Sequence, residues 1–404
     1  MHIKDTLKLI NTIRFKDIPY MAKLAVTFIP GKIYKVMNDD IWIISEYPEN
    51  ARDNGYWLFK YVREYYPDKK VFYPIKKEAS DFFKIEKLGN YIEHGSLKHY
   101  LLFWAASKYV GTTKYHGFPD ERISAGIYEI GINRFKYVFL NHGFTRGHSN
   151  IVDGTKTSYD LIFAISDIEK KVIVNLNHQK EEKVKAVGFC RQDNLDNSLL
   201  DPKLIVVMPT WRRWLDYRHA ESKDRVKQIQ KDFLKSDYYK NYLALLHKEE
   251  LLDFLEKQDL RLVLYFHGYA QEYLEYFQSI SNRIIVARKE EYFVQDLLKQ
   301  ASFLVTDYSS VAVDYSYMKK PMLYYQFDAE EFAQKQYAGS QYYDFEEDGF
   351  GPVVTGLDQV VDEIEKSYQN GFIMEEKYVD RVNKFFPSFD TEHCKRTYDL
   401  IEKL

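Results

Sequence analysis

The sequence contains little cysteine and no hydrophobic run long enough for a membrane span. Only two cysteines, Cys190 and Cys394, occur among 404 residues, and they lack metal-ligand spacing. We interpret them as reduced, buried thiols of a cytosolic protein. The first residues lack the apolar core of a signal peptide, and the densest apolar stretch, His99 to Val110, is too short to span a bilayer. We therefore expect a protein that neither crosses nor leaves through a membrane on its own signals.

The sequence also lacks the signatures of several ligand-binding classes. A net charge of −3 gives no overall footprint for binding nucleic acid. The sequence has no GxxxxGK[ST] motif and no strand-linked GxGxxG motif, which argues against ordinary NTPases and dinucleotide enzymes. Neither His142 nor His267 lies in an HExxH motif or another His/carboxylate ligand spacing. We predict no metal site and no cofactor.

Nine short apolar runs predict strands, at 41–45, 70–75, 137–141, 161–166, 204–210, 261–268, 283–288, 303–307 and 321–326. They alternate with amphipathic stretches that predict helices, at 56–66, 241–258, 292–301 and 357–368. Such alternation predicts an α/β fold with two doubly wound parallel-sheet domains, and 404 residues suffice for two cores. We expect an N-terminal domain over 1–195, a C-terminal domain over 196–375, and C-terminal helices over 376–404 that cross back to the first domain. The polar stretch 191–203 is typical of a linker, and Thr391 is a candidate cap for the last helix. Two such domains imply a central cleft at the carboxyl ends of the strands.

The first 36 residues are basic, with seven lysine and arginine residues against two aspartates and with apolar residues between them. This segment suits an anionic membrane surface. An ordinary surface helix with a solvated basic face explains the same pattern.

The segment VTDYSSVAVDY, from Val305 to Tyr315, ends an apolar strand and opens a helix. Ser309 or Ser310 is a natural N-cap, and the unsatisfied N–H groups of a first helical turn attract an anion. Asp307 suits a role in orienting a neighbouring donor. Simple capping by both serines is the alternative, and agreement with other strand ends favours phosphate binding.

Two histidines follow predicted strands, one in each domain. His142 lies in VFLNHGFTRG, with Gly143 and Arg146 nearby. His267 lies near the end of RLVLYFHGY and is also followed by a glycine. Imidazole titrates near neutral pH, so it suits proton removal from a hydroxyl or stabilisation of phosphoryl charge. After another strand, MPTWRR places Arg212 and Arg213 where they could clamp phosphates or remain solvated.

The assembled motifs resemble the CDP-glycerol glycerophosphotransferase family, which includes teichoic-acid primases and polymerases and capsule-synthesis relatives. The similar segments are VFLNHGFTR, VVMPTWRR, VTDYSSVAVDY, PMLYYQFDAEEF and DFEEDGFGPVV, and they cover about residues 95–390. The surroundings of His267, Tyr-Phe-His-Gly, differ from the family's R-x-H-P context, and NHGFTRG replaces HGTPLK. These departures leave the fold and nucleotide site intact, but they leave the donor open between glycerol, ribitol and another phosphoryl-linked unit.

The resemblance implies a GT-B-like fold and transfer of an alditol phosphate from a CDP-activated donor, most simply CDP-glycerol, to an acceptor hydroxyl with release of CMP. The acceptor would be a glycan, a lipid-linked unit or a teichoic-acid or capsule-like polymer. His142 would be the general base, His267 would contact the donor pyrophosphate, and Asn141, Gly143 and Arg146 would lie on the acceptor side. The residues expected to bind the donor phosphates are Thr210, Arg212, Arg213, Thr306, Asp307, Ser309, Ser310 and Asp314.

The same resemblance implies a cytoplasmic enzyme attached peripherally to the inner face of the cell membrane. Two other functions remain open at this point. A GT-B glycosyltransferase using a nucleotide sugar would share the fold. A non-catalytic binding module of a polymer-assembly complex is the third hypothesis.

Overall fold

A computed structural model describes residues 13–218, 220–268, 270–336 and 343–404. The chain divides into two units. The first comprises the residues up to Thr145, Ser149–Asn194 and Pro387–Leu404, and the second comprises Arg146–His148 and Leu195–Phe386. Residues 376–386 therefore lie in the second unit, whereas the remainder of the expected C-terminal segment lies in the first.

A seven-stranded parallel sheet forms the centre of the first unit, in the order β3-β2-β1-β4-β5-β6-β7. Its strands are β1 (Trp42–Ser45), β2 (Val71–Ile75), β3 (Tyr91–Glu93), β4 (Lys108–Gly111), β5 (Lys136–Phe139), β6 (Leu161–Ala164) and β7 (Val184–Ala186). Helices cover it: α1 (Ile18–Met37), α2 (Asn54–Tyr65), α3 (Phe82–Leu88), α4 (Leu97–Ala105), α5 (Ile123–Glu129) and α6 (Asp167–Asn175).

Strand β1 explains why this sheet is buried on both faces. Ile43 packs into the apolar cluster on one face, while its neighbours Trp42 and Ile44 pack into the cluster on the other. Successive side chains of a strand point to opposite faces, so a continuous apolar run fills both cores.

The second unit is built on a six-stranded parallel sheet in the order β10-β9-β8-β11-β12-β13. These strands are β8 (Leu204–Met208), β9 (Arg261–Tyr265), β10 (Ile284–Ala287), β11 (Phe303–Thr306), β12 (Met322–Tyr325) and β13 (Val353–Val354). The helices are α7 (Lys223–Lys235), α8 (Asp237–Leu246), α9 (Glu249–Lys257), α10 (Val294–Gln300), α11 (Val311–Tyr317), α12 (Ala329–Lys335), α13 (Leu357–Gln369) and α14 (Glu376–Phe385).

The expectation of two parallel-sheet α/β units is confirmed. In each sheet the strand order reverses once, between β1 and β4 in the first and between β8 and β11 in the second. Ligands of such sheets bind at the carboxyl ends of strands beside the reversal. The second sheet therefore directs attention to the residues that follow β8 and β11.

The last helix, α15 (His393–Glu402), packs within the first unit. Its N-cap position is Glu392, so the prediction that Thr391 caps this helix is wrong. The backbone N–H groups of His393 and Cys394 instead donate to the Asp193 carboxylate, both at 2.8 Å. Cys190 and Cys394 are both buried as free thiols.

Helix α1 presents an unusual apolar surface. Leu24, Thr27 and Gly31 face inward, and Trp104 of α4 donates its indole N–H to the Leu24 carbonyl. The opposite side exposes large apolar side chains: Ile18, Met21, Val26, Ile29, Ile33, Val36 and Met37. Among the described residues, no helix combines the length and apolar content needed to cross a bilayer.

Candidate functional site

His142 follows β5 in a turn fixed by its neighbour Asn141. Asn141 adopts a left-handed backbone, with φ of 61°, and its side-chain oxygen accepts from the His142 N–H at 2.9 Å. The Asn141 amide donates to the buried Glu169 carboxyl at 2.9 Å. Glu169 also accepts from the backbone N–H groups of Thr145 and Ile165, both at 2.6 Å. The turn is thus held from both ends.

The His142 ring has a defined tautomer. Nδ1 lies 3.1 Å from the Thr112 carbonyl oxygen, which can only accept, so Nδ1 carries the proton. Nε2 then keeps its lone pair. Solvent reaches the residue, yet desolvation by the surrounding protein lowers the pKa of His142 below its ordinary value. At neutral pH the ring is therefore uncharged and able to accept a proton.

The other two predicted acceptor-side residues differ in position. Gly143 is half-buried directly after His142. Arg146 belongs to the second unit, and its guanidinium carbon lies 5.1 Å from the ring centroid of Phe345. We expected Arg146 in the first domain because it follows the β5 motif, but its contacts place it in the second unit.

In the second unit, Thr210 and Asp307 follow the two strands that flank the reversal of strand order. Asp307 is fully buried, and its carboxylate accepts from the Thr210 N–H at 2.8 Å. The Thr210 hydroxyl is buried and has no hydrogen-bond partner among the described residues. A buried hydroxyl without a partner costs stability, which makes it a candidate ligand contact.

The expectation that Arg212 clamps phosphate conflicts with its geometry. Its Nη1 lies 2.8 Å from Asp307 Oδ2 and 2.6 Å from the Thr210 carbonyl, and its Nε lies 2.7 Å from Asp328 Oδ2. Burial disfavours the charge of Arg212, but the two carboxylates outweigh burial and raise its pKa further. Arg212 therefore holds the strand ends together. Arg213 is exposed, and its backbone N–H donates to the Gln336 side chain at 2.8 Å.

The residues of the VTDYSS segment separate into buried and accessible ones. Thr306 is buried, and its hydroxyl donates to the Met208 carbonyl at 2.7 Å, so this hydroxyl is used inside the sheet. Asp314 is buried on α11. Ser309 and Ser310 are half-buried, and Ser310 occupies the N-cap position without a side-chain capping bond. The serine hydroxyls thus remain the accessible donors of this segment.

His267 follows β9, beside the segment that follows β8. It is exposed, and its ring centroid lies 6.2 Å from that of Trp211. Within the described residues, no group of three or more His, Cys, Asp or Glu side chains has the arrangement of a metal site.

One protein-family model matches nearly the whole chain. The model of the CDP-glycerol:poly(glycerophosphate) glycerophosphotransferase family matches residues 30–403. The chain belongs to this family. The matched range contains the His142 turn, the β8 end and the VTDYSS segment.

Relatives of this chain have names that assign them to teichoic acid synthesis. The minor teichoic acid biosynthesis protein GgaB of Bacillus subtilis is 30% identical over 366 residues, which cover 90% of this chain and 40% of GgaB. The teichoic acid glycerol-phosphate transferase of Staphylococcus aureus is 21% identical over 391 residues, covering 86% of this chain and 88% of that protein. The chain spans 40% of GgaB and 41% of the B. subtilis poly(glycerol phosphate) polymerase.

Solved structures share the fold of this family member. The wall teichoic acid polymerase TagF aligns with a TM-score of 0.64 and 18% identity, covering 99% of this chain and 97% of that chain. A putative UDP-N-acetylglucosamine 2-epimerase from Listeria monocytogenes aligns with a TM-score of 0.55 and 12% identity, covering 90% and 96%. At these identities the likeness concerns the fold alone.

The sequence analysis missed several residues that hold the His142 turn or the strand ends around Arg212 in place. Asn54 and Arg191 donate to the His142 turn, Asp53 pairs with Arg191, and Asp328 completes the Arg212 ion pairs. Asp53 is the N-cap of α2 and Asn54 is its first residue, both ordinary helix-start residues, and Arg191 opens a stretch that resembles a linker. Asp328 lies within the FDAEEF motif, which could have singled it out.

Proposed function

We propose that the protein transfers an alditol phosphate, most simply glycerol phosphate, from a CDP-activated donor to a hydroxyl of a glycan, lipid-linked or teichoic-acid-like acceptor. Family membership over residues 30–403 supports this reaction class. The observation that carries the proposal is His142, because a neutral imidazole with Nδ1 committed to Thr112 leaves Nε2 to remove a proton.

In the proposed step, the acceptor oxygen attacks the β-phosphorus of the CDP donor. The bond from this phosphorus to the bridging oxygen breaks, and CMP leaves while His142 Nε2 takes the acceptor proton. Phosphoryl transfer of this kind depends mainly on positioning and on stabilising charge on the phosphoryl oxygens. We assign donor binding to the hydroxyls of Thr210, Ser309 and Ser310, with His267 at the pyrophosphate.

A donor screen tests the reaction directly. The purified chain is incubated with CDP-glycerol, CDP-ribitol or UDP-sugars and with a glycan acceptor that ends in glycerol phosphate. We expect acceptor-dependent CMP release from CDP-glycerol. Release of UDP instead would establish a glycosyltransferase, and nucleotide binding without release from any donor would establish a binding module.

We also propose peripheral attachment to the inner face of the membrane, through the exposed side of α1. The apolar side chains on this side support it, with Val26 63%, Ile29 66% and Ile33 55% exposed. Three of the basic residues of this segment form hydrogen bonds within the protein. Lys23, Lys32 and Lys35 donate to protein oxygens at 2.7, 3.1 and 3.0 Å, whereas part of the basic segment, residues 1–12, lies outside the described residues.

A further inference from the structure

The carbonyl groups of the His142 turn are held by side chains from elsewhere in the first unit. Asn54, at the start of α2, is fully buried, and its amide donates to the Asn141 carbonyl at 2.9 Å and to the Leu140 carbonyl at 3.4 Å. The Asn54 side-chain oxygen accepts from the Arg191 backbone N–H at 3.2 Å. The next carbonyl along the turn, that of His142, is bound by the Arg191 side chain.

Arg191 joins this carbonyl to a carboxylate. Its Nη1 donates to the His142 carbonyl at 3.1 Å and to Asp53 Oδ1 at 2.7 Å, and the residue is almost completely buried. A buried guanidinium requires a partner for its charge, and Asp53 supplies it. The two residues thus place one positive and one negative charge beside the turn that carries His142.

Both members of this pair are anchored independently of His142. Arg191 lies in a short 3-10 helix, Cys190–Asn194, that is fixed by the bonds from Asp193 to the start of α15. The Asp53 N–H donates to the buried Glu46 carboxyl at 2.9 Å. The pair is therefore a fixed feature of the fold, so its charges act on the ring from constant positions.

We propose that Arg191 and Asp53 are positioning residues of the transfer reaction, which together hold the His142 turn and balance the charge beside its ring. The inference rests on the proposed role of His142 as the base. Desolvation by the surrounding protein has the largest effect and disfavours the protonated imidazole; Asp53 favours it, whereas Arg191 and His116 disfavour it. Arg191 thus offsets the charge of Asp53, while desolvation keeps the ring neutral.

The charge balance can be measured without substrate. The probe is the NMR titration of the His142 imidazole in the full-length protein, with the signal assigned by its absence in His142→Gln. Removing the positive charge in Arg191→Met should raise the pKa of His142, and removing the negative charge in Asp53→Asn should lower it. The double variant should titrate between the two single variants.

A structural role alone would not shift the titration in opposite directions. Arg52→Met is the matched control, since Arg52 pairs with Asp81 at 2.6 Å and Lys84 remains 3.1 Å from that carboxylate. The control should titrate as the wild type does. Glu46 also titrates in this range, because burial and Asp53 raise its pKa to about 8, so only the imidazole signal is followed. Asp53→Asn keeps the side-chain size. If Arg191→Met is unstable, the direction of the His142 pKa shift in Asp53→Asn tests the inference by itself.

Arg191→Lys separates charge from geometry. It keeps the positive charge, so the titration should stay near that of the wild type, but a lysine cannot reproduce the forked contacts of the guanidinium. We expect kcat for CMP release from CDP-glycerol to fall at least tenfold with an unchanged KM for the donor. Unshifted titrations in both Arg191→Met and Asp53→Asn, or shifts of the same sign, would overturn the inference. Full activity of His142→Gln would instead overturn the proposed base and leave the titration result intact.

Discussion

The guanidinium of Arg212 lies 2.8 Å from the carboxylate of Asp307, and both side chains are excluded from solvent. Asp328 binds the other edge of the same guanidinium, with contacts of 2.7 and 3.0 Å. The three residues follow β8, β11 and β12, which are adjacent in the second sheet. The arginine that the sequence offered as a phosphate clamp thus ties three strand ends together and fixes the backbone of Thr210.

Breaking this ion-paired group should destabilise the second unit severely. Arg212→Met leaves two buried carboxylates without their cation, and such a change costs about 3–5 kcal/mol. Urea unfolding followed by tryptophan fluorescence measures the loss. Arg213→Met alters the exposed neighbour and should change the free energy of unfolding by less than about 0.5 kcal/mol. Equal stability of the two variants would contradict the structural role of Arg212.

His142→Gln should abolish transfer and retain donor binding. Glutamine fills a similar space but cannot take a proton, so kcat should fall by about 100-fold or more, while the Kd for CDP-glycerol measured by calorimetry stays constant. Near-normal turnover would remove His142 from the mechanism.

The pH dependence of the proposed transfer follows from the same residue. Desolvation by the surrounding protein lowers the pKa of His142 from its ordinary value of 6.5, and the base acts only when it is unprotonated. Activity should therefore persist at pH 6.5 and fall only as the pH drops through the lowered pKa. A profile of kcat/KM against pH checks this, and an acid limb above pH 6.5 would contradict it.

Thr210→Val and Thr306→Val should give opposite results. The Thr210 hydroxyl is buried without a partner among the described residues, so valine should leave the donor-free protein equally stable or more stable by about 1 kcal/mol. Donor affinity should fall about tenfold, which corresponds to about 1.4 kcal/mol. Thr306→Val removes the bond to the Met208 carbonyl, so it should cost about 1 kcal/mol of stability and leave donor affinity unchanged.

Ser309→Ala combined with Ser310→Ala provides an independent measure of the phosphate site. Both side chains are half-buried at the start of α11, so their loss should weaken CDP-glycerol binding with little effect on folding. Unchanged affinity in this double variant and in Thr210→Val would refute the donor-phosphate assignment.

Membrane attachment should depend on the apolar side of α1. Replacing Val26, Ile29 and Ile33 by serine should reduce sedimentation with anionic liposomes at least tenfold, since each buried aliphatic side chain contributes about 1.5–3 kcal/mol. Ile373→Ser, at an equally exposed isoleucine of the second unit, is the control for general surface hydrophobicity. Equal partitioning of the triple variant and the wild type would exclude this surface.

Local sequence patterns predicted most of the strands because their apolar runs are continuous. All nine predicted strands exist, with ends that differ by three residues or fewer. The short strands β3, β4, β7 and β13 were missed, and β4 begins within the apolar stretch His99 to Val110. The pattern over 241–258 predicted one helix, whereas α8 ends at Leu246 and α9 begins at Glu249. Both halves bury leucines, so the amphipathic pattern continues across the break.

By itself the sequence determined the α/β class and the family, because these depend on apolar periodicity and on residue types in local order. Only the tertiary structure decided which side chains are buried or already hydrogen-bonded within the protein and which could contact a ligand. It buried Arg212 and the Thr306 hydroxyl, left the Thr210 hydroxyl without a partner among the described residues, and brought Asp53, Asn54 and Arg191 to the His142 turn. These outcomes depend on contacts between residues up to 138 positions apart, and no local pattern encodes such contacts.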